Sequence, residues 1–143
     1  MTLTRFQRIA LGISGVTALG IGAFILSAPH AFYASYGISL GGDASLLSEP
    51  RAPAAGLAAF GVLMLAGIVR SAFSPVSVVS ALTVFLAFPA GRLLGLVVDG
   101  VPSVSVLGAM IIELAIAALC LIAFRDRLWR NASHGSGSRV AAS

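Results

Sequence analysis

Four long apolar stretches, separated by short polar ones, dominate the pattern of the chain. They cover residues 9–28, 52–69, 76–98 and 104–124. The first has about 20 residues, enough for a helix to cross roughly 30 Å of hydrocarbon. None of the four alternates apolar and polar residues with a period of two, as strands of a membrane β-barrel do. The pattern therefore predicts an all-α, polytopic membrane protein with four transmembrane helices.

Turn-forming residues set the expected ends of these helices. We predict helices at about residues 7–28, 44–69, 76–98 and 103–127, forming one membrane domain over residues 1–130. The link DGVPS before the last helix permits only a tight turn, with Gly100 as a left-handed cap and Ser103 as an N-cap. So short a turn predicts antiparallel neighbours. Residues 131–143 are rich in Gly and Ser, which predicts a disordered tail.

Small residues recur on one face of each predicted helix. In the first helix Ser14, Ala18 and Gly22 are spaced four apart, and in the fourth helix Ser105 and Ala109 continue towards Glu113. Lipid offers no hydrophobic drive for helix association, so helices in a membrane pack through such faces. The stripes predict a compact bundle.

The composition of the chain predicts a lipid environment, and the positions of its basic residues predict its orientation in the membrane. The chain is 58% hydrophobic and 10% charged, whereas a soluble domain is about half apolar and a quarter charged. Loops of membrane proteins that carry basic residues usually lie on the cytoplasmic side. Six of the nine would share the side of the bundle that holds both termini, which predicts cytoplasmic termini in a bacterial plasma membrane: Arg5, Arg8, Arg70, Arg125, Arg127 and Arg130. Because these arginines flank apolar segments, the high pI is not a sign of nucleic-acid binding.

Two charged residues fall inside apolar segments. Arg92 precedes Asp99 by seven residues and Glu113 follows Ser103 by ten, which places them about 10 and 15 Å from the same end of the bundle. Glu113 is too short to reach water from that depth, so it must be protonated, paired or in a wet cavity. The tight turn makes their helices neighbours, and we predict that Arg92 pairs with Glu113.

Other polar residues are expected at the same end. Together with the pair they would form one polar network that opens outward: Arg92, Glu113, Asp99, Glu49, Arg51 and Asp43. One interpretation is that this network locks the orientation of the helices. The other is a site for a small molecule, a lipid or a proton.

Four aromatic residues are the remaining site candidates, and the sequence shows no catalytic or metal-binding motif. We expect Phe32, Tyr33, Tyr36 and Trp129 to lie at the membrane interface; an aromatic ligand platform is the alternative for the first three. The sequence shows no His, Cys or carboxylate cluster with metal-ligand spacing and no nucleophile–base pair. We therefore expect no catalytic residue, no metal and no cofactor.

The segment APHAFYASYGISLGGDASLLSEPRAPAAG, with GRLLGLVVDGVPS and the glutamate of IIELAIAAL, resembles a bacterial family of four-helix integral membrane proteins. That family is described only as a domain of unknown function, with a GDxSLLSExRAP-type block. The resemblance implies a plasma-membrane protein whose shared polar positions are Asp43, Ser45, Glu49, Arg51, Arg92 and Glu113. Pro50 departs from the family pattern. A looser likeness to DoxX-type four-helix membrane proteins rests on architecture alone.

Three functions follow as hypotheses. The favoured one is a non-enzymatic membrane protein, either an accessory or scaffold subunit or a binder of a lipid or other small hydrophobic molecule. Its partners would be the bilayer and a membrane protein or a second copy of the chain. The alternatives are a small transporter or proton-coupled carrier using Glu113 and Arg92, and a membrane enzyme acting on a quinone or lipid through Asp43, Glu49 and Arg51.

Overall fold

The computed structural model describes residues 2–137, with side chains as far as Trp129. Within that range the chain is helical and has no strand, so the all-α prediction is confirmed. A 3₁₀ turn, Ser71–Phe73, joins the third and fourth of its five α-helices. The five are α1 (Arg5–Ser27), α2 (Pro29–Ala34), α3 (Ala44–Val69), α4 (Ser74–Val98) and α5 (Val104–Gly137). All except α2 are long and apolar enough to cross a membrane.

Side-chain caps start two of the long helices. At α1, Thr4 and Gln7 form a reciprocal capping box, in which each side chain accepts a 3.2 Å hydrogen bond from the other's backbone N–H. At α3, the carboxylate of Asp43 accepts from the backbone N–H of Leu46 at 3.0 Å. α3 then continues through Pro50 and Pro53 without a break.

The turn before α5 differs in one respect from the expectation. Gly100 has a φ of +97°, in the left-handed region that glycine adopts readily. Ser103, however, does not cap α5 with its side chain. Its hydroxyl donates to the carbonyl oxygen of Tyr36 at 3.1 Å, because the loop after α2 lies within reach of the turn.

The end of α5 extends into the segment predicted as a tail. α5 continues to Gly137, so it includes residues 131–137 of that segment. No proline interrupts the segment after residue 124, and extending an existing helix needs only one hydrogen bond per added residue. Residues 138–143 of the expected tail lie outside the described residues.

Glycines bring α1 and α3 into close contact. A Cβ on Gly61 would lie 2.5 Å from the backbone nitrogen of Leu19, and one on Gly22 would lie 2.6 Å from that of Ala58. Ser14, Ala18 and Gly22, the small-residue stripe of α1, are all buried. Small residues at this seam let the two backbones approach closely.

The packed core occupies one half of the protein. We call it the closed half: residues 7–14 of α1, 64–67 of α3, 74–85 of α4 and 116–124 of α5. Its largest fully buried side chains include Phe124, Leu11, Met64 and Cys120. Buried serine hydroxyls have hydrogen-bond partners there: Ser14 donates to the carbonyl of Ala10 at 2.7 Å and lies 3.1 Å from the sulfur of Cys120, and Ser74 donates to the carbonyl of Gly67.

A polar clamp joins the chain's beginning to α5 in the closed half. The side-chain amide of Gln7 donates to the carbonyl of Ala123 at 2.9 Å. Its oxygen accepts from the guanidinium of Arg127 at 2.8 Å, and the same arginine donates to the carbonyl of Thr2. No periodicity in the sequence indicates this clamp.

In the other half α1 and α3 stay in close contact, but α2, α4 and α5 are loosely packed against them. We call it the open half: residues 15–27 of α1, α2, 44–61 of α3, 86–98 of α4 and 104–115 of α5. No other part of the described chain covers Leu94, Val97 and Val104, whose exposed fractions are 66, 83 and 85%. Such apolar faces suit contact with lipid tails. The loose packing of the open half leaves space for a cavity, which is part of the site described next.

Candidate functional site

Arg92 and Glu113 form a side-on ion pair between α4 and α5. The guanidinium Nε donates to Oε2 at 2.9 Å and to Oε1 at 3.2 Å, and Nη2 donates to Oε1 at 3.0 Å. The Arg92 side chain is 30% exposed and that of Glu113 only 10%. Paired donors and acceptors of this kind fix both position and orientation. The pair thus holds the middle of α5 against α4.

The local sequence of α4 places Arg92 on the inner side of the helix. Phe85, Phe88 and Arg92 follow one another at spacings of three and four, so they share one face. Pro89, one turn before Arg92, is buried. Because proline has no N–H, the carbonyl of Phe85 lacks its usual intrahelical donor.

A cavity of about 540 Å³ lies beside this pair, mostly in the open half and bordered by the edge of the closed half. Its volume falls within the roughly 300–1,000 Å³ range of small-molecule pockets. Both charged residues are part of its wall, and most of the rest is apolar. The lining comes from Thr17, Ala18, Ile21 and Ile25 of α1; Phe32, Tyr33, Ser35, Tyr36 and Ile38 of α2 and its loop; Leu57 of α3; Val84, Phe85, Phe88 and Arg92 of α4; and Ser105, Val106, Gly108, Ala109, Ile112 and Glu113 of α5.

The segment after α1 covers one side of this cavity with aromatic rings. Phe32 makes an edge-to-face contact with Phe24 at a centroid distance of 5.5 Å and a second with Tyr33 at 5.4 Å. The ring of Tyr36 lies 5.1 Å from that of Phe32. Phe32, Tyr33 and Tyr36, the first three expected interfacial aromatics, therefore also line the cavity. Trp129 is 75% exposed and lies far along α5, outside it.

The larger polar network expected from the sequence does not assemble. Asp43, Glu49, Arg51 and Asp99 are exposed, and within residues 2–129 none of them forms an ion pair. They occupy the first turns of α3 and the end of α4, where no other element covers them. Exposed charges gain little by pairing, because hydration already stabilises them. The structure reduces the six-residue network to Arg92 and Glu113.

The sequence pattern does not indicate this cavity. The spacing of Ser105 and Ala109 predicts a packing stripe, but the structure places both residues in the cavity wall. Gly108 lies beside them, and a Cβ there would meet no atom within 4 Å. The same small residues that allow close packing on α1 leave empty space on α5. Only the position of the neighbouring helices distinguishes the two outcomes.

The chemistry available in the cavity is limited. Apart from two tyrosines, its ionisable lining groups are Arg92 and Glu113, which bind each other. All hydrogen bonds found for Glu113 come from Arg92. In the part of the chain that the structure describes, no three His, Cys, Asp or Glu residues are placed to hold a metal ion. The arrangement is suited to holding a largely apolar molecule.

The fold and this site define a class: an all-helical protein with four membrane-spanning candidates and a lateral apolar cavity that contains one ion pair. The chain belongs to the family described as a domain of unknown function, DUF4345, whose model matches residues 6–124. The match includes the GDASLLSE block, Arg92 and Glu113. Neither a comparison with curated proteins nor one with solved structures finds a match. The likeness to DoxX-type proteins stays a prediction.

Proposed function

We propose that this protein binds a small hydrophobic molecule within the bilayer. The observation that carries the proposal is the cavity of about 540 Å³, apolar except for one ion pair in its wall. Apolar pockets with a few convergent polar groups are typical ligand sites. Phe88 and Ile112, at its side, are 41 and 58% exposed. A ligand could therefore reach the cavity from the surrounding lipid, through the side formed by α4 and α5.

The proposal includes a bacterial plasma membrane, an antiparallel bundle and termini on the cytoplasmic side. The contacts of Gln7 with Ala123 and of Gly22 with Ala58 support the antiparallel order. The distribution of arginines supports the orientation, because positive residues favour the cytoplasm. With this orientation the open half faces away from the cytosol.

Binding is favoured over transport by the closed half. Leu11, Met64 and Phe124 are fully buried there and belong to the packed core beside the cavity. A carrier that uses Glu113 would have to separate this core. A membrane enzyme using Asp43, Glu49 and Arg51 is disfavoured, since these three residues lie outside the cavity wall.

A scaffold or accessory role remains the second candidate. The observation that favours it is the uncovered apolar surface of the open half, such as Leu94 and Val97 on α4. A membrane protein or a second copy could cover that surface, and so could lipid. Cross-linking in membranes would reveal a specific partner, whereas a protein that always runs alone would leave lipid as the cover.

Filling the cavity tests the binding proposal. Gly108→Leu places a side chain in the cavity, since no atom lies within 4 Å of a Cβ at that position. Gly20→Leu is the matched control: Gly20 is equally unobstructed but does not line the cavity. After extraction in mild detergent, we expect mass spectrometry to find a co-purified apolar molecule with wild type and Gly20→Leu, and much less with Gly108→Leu. Equal amounts in all three would overturn the proposal.

A further inference from the structure

The ion pair leaves part of the guanidinium available to a ligand. Arginine carries five N–H donors, and Glu113 accepts only from Nε and Nη2. Within the described residues, no group accepts from Nη1 of Arg92. The side chain is 30% exposed and forms part of the cavity wall. A donor of a charged residue in the cavity wall is therefore left without an acceptor among residues 2–129.

The charge of that donor is already balanced. Glu113 neutralises Arg92, and no other arginine or acidic residue lines the cavity. A ligand with a carboxylate or phosphate head would add an unbalanced negative charge among apolar walls, which is costly in a medium of low dielectric constant. A neutral oxygen can accept from Nη1 without this cost.

We propose that the ligand is an uncharged amphiphile whose head bears a carbonyl or hydroxyl oxygen that accepts a hydrogen bond from Nη1 of Arg92. This inference rests on the proposed binding function and adds its chemical class. The apolar part of the molecule lies against Ala18, Leu57 and Phe85, which are buried residues of the cavity wall. Neutral monoacylglycerols have this chemistry, and fatty acids differ from them chiefly in the charge of the head.

Two photoreactive probes of equal chain length separate these classes: a monoacylglycerol and the matching fatty acid, both with a diazirine in the chain. Each is cross-linked to the purified full-length protein in nanodiscs at a pH where the fatty acid is ionised. Labelled peptides are identified by mass spectrometry, and unlabelled probe serves as competitor. We expect saturable labelling of cavity-lining peptides, with the monoacylglycerol favoured about tenfold, because both heads can accept from Nη1 but only the ionised one adds an unbalanced charge among apolar walls.

Glu113→Gln tests the cause of this preference. It leaves the guanidinium without a counter-charge, so we expect the fatty acid to become the better ligand. Glu49→Gln is the matched control, because it makes the same charge change at an exposed residue outside the cavity; the wild-type preference should persist there. Should Glu113→Gln fail to fold, the preference of the wild type alone decides.

The outcomes distinguish the two proposals. If neither probe labels cavity peptides saturably, and Gly108→Leu labels like wild type, the binding function itself is wrong. If both probes label saturably but the wild type favours the fatty acid or shows no preference, binding stands and the neutral-head inference fails. An unchanged preference in folded Glu113→Gln also contradicts the inference.

Discussion

The side chains of Arg92 and Glu113 meet in three hydrogen bonds although 21 positions separate them in the chain. α4 and α5 contribute one charge each, and among residues 2–129 no third charged residue joins them. In the loosely packed open half, this contact is the main polar link between the two helices. The contribution of this ion pair to the stability of the protein can be measured separately from its proposed role in binding.

Removing only one partner should harm the protein more than removing both. We expect Arg92→Leu to lower the free energy of unfolding by about 3 kcal/mol or more, because it leaves a buried carboxylate unpaired. The double change Arg92→Leu with Glu113→Leu should cost clearly less. Cys120, the only cysteine and fully buried, gives the measurement: a thiol-reactive fluorogenic dye labels it as the protein unfolds. Similar losses in the two variants would contradict a paired charge.

The seam between α1 and α3 should tolerate no added methyl group at Gly61. A Cβ there would lie 2.5 Å from the nitrogen of Leu19 and 2.8 Å from the carbonyl oxygen of Gly15, both backbone atoms. We expect Gly61→Ala to destabilise by about 1–3 kcal/mol through overpacking. Gly56→Ala on the same helix is the control, since it meets nothing within 4 Å and should gain from alanine's helix propensity. Dye labelling of Cys120 on heating compares them.

The clamp predicts different effects for two nearby arginines. Arg127 donates to Gln7 and Thr2, whereas Arg125 is exposed and bonds to its neighbour Asp126 at 3.4 Å. We expect Arg127→Gln to lower stability by about 1–3 kcal/mol, as for hydrogen bonds to a charged group. Arg125→Gln should change stability little, although it removes the same charge. Proteolysis of the N-terminal residues should rise only in Arg127→Gln; equal behaviour would rule out the clamp.

Orientation in the membrane can be tested with added cysteines. Gly41 and Ser71 are both exposed and lie at opposite ends of α3. The buried Cys120 can stay in place because it should not react in the folded protein. We expect a membrane-impermeant maleimide to label Gly41→Cys on intact cells, and Ser71→Cys only after permeabilisation. The reverse pattern would place the termini outside the cytosol and turn the cavity towards it.

The sequence revealed those features that depend on local pattern or on a short turn. Four apolar stretches predicted four candidate membrane-spanning helices, and the DGVPS turn brought Arg92 close enough to Glu113 for a pair to be expected. Both inferences need only helix geometry and neighbouring segments. They required no knowledge of how distant helices pack.

Features that depend on distant helices were not predictable in this way. The clamp joins Gln7 to Ala123, and the cavity is lined by residues of all five helices. Ser105 and Ala109 have the composition of a packing face, yet nothing local shows that no helix covers them. Conversely, the sequence predicts Glu49 and Arg51 in one network with the buried pair, but both side chains are exposed and form no ion pair within residues 2–129.

The hydrogen bond from Ser103 to the carbonyl of Tyr36 bears on how quickly the cavity can exchange its contents. It connects the aromatic cover to the start of α5, so separating these two elements must break it. One exposed hydrogen bond between neutral groups contributes only about 1 kcal/mol. Under the proposed binding function, so weak a latch sets a low barrier, and a bound molecule would exchange without any loosening of the closed half.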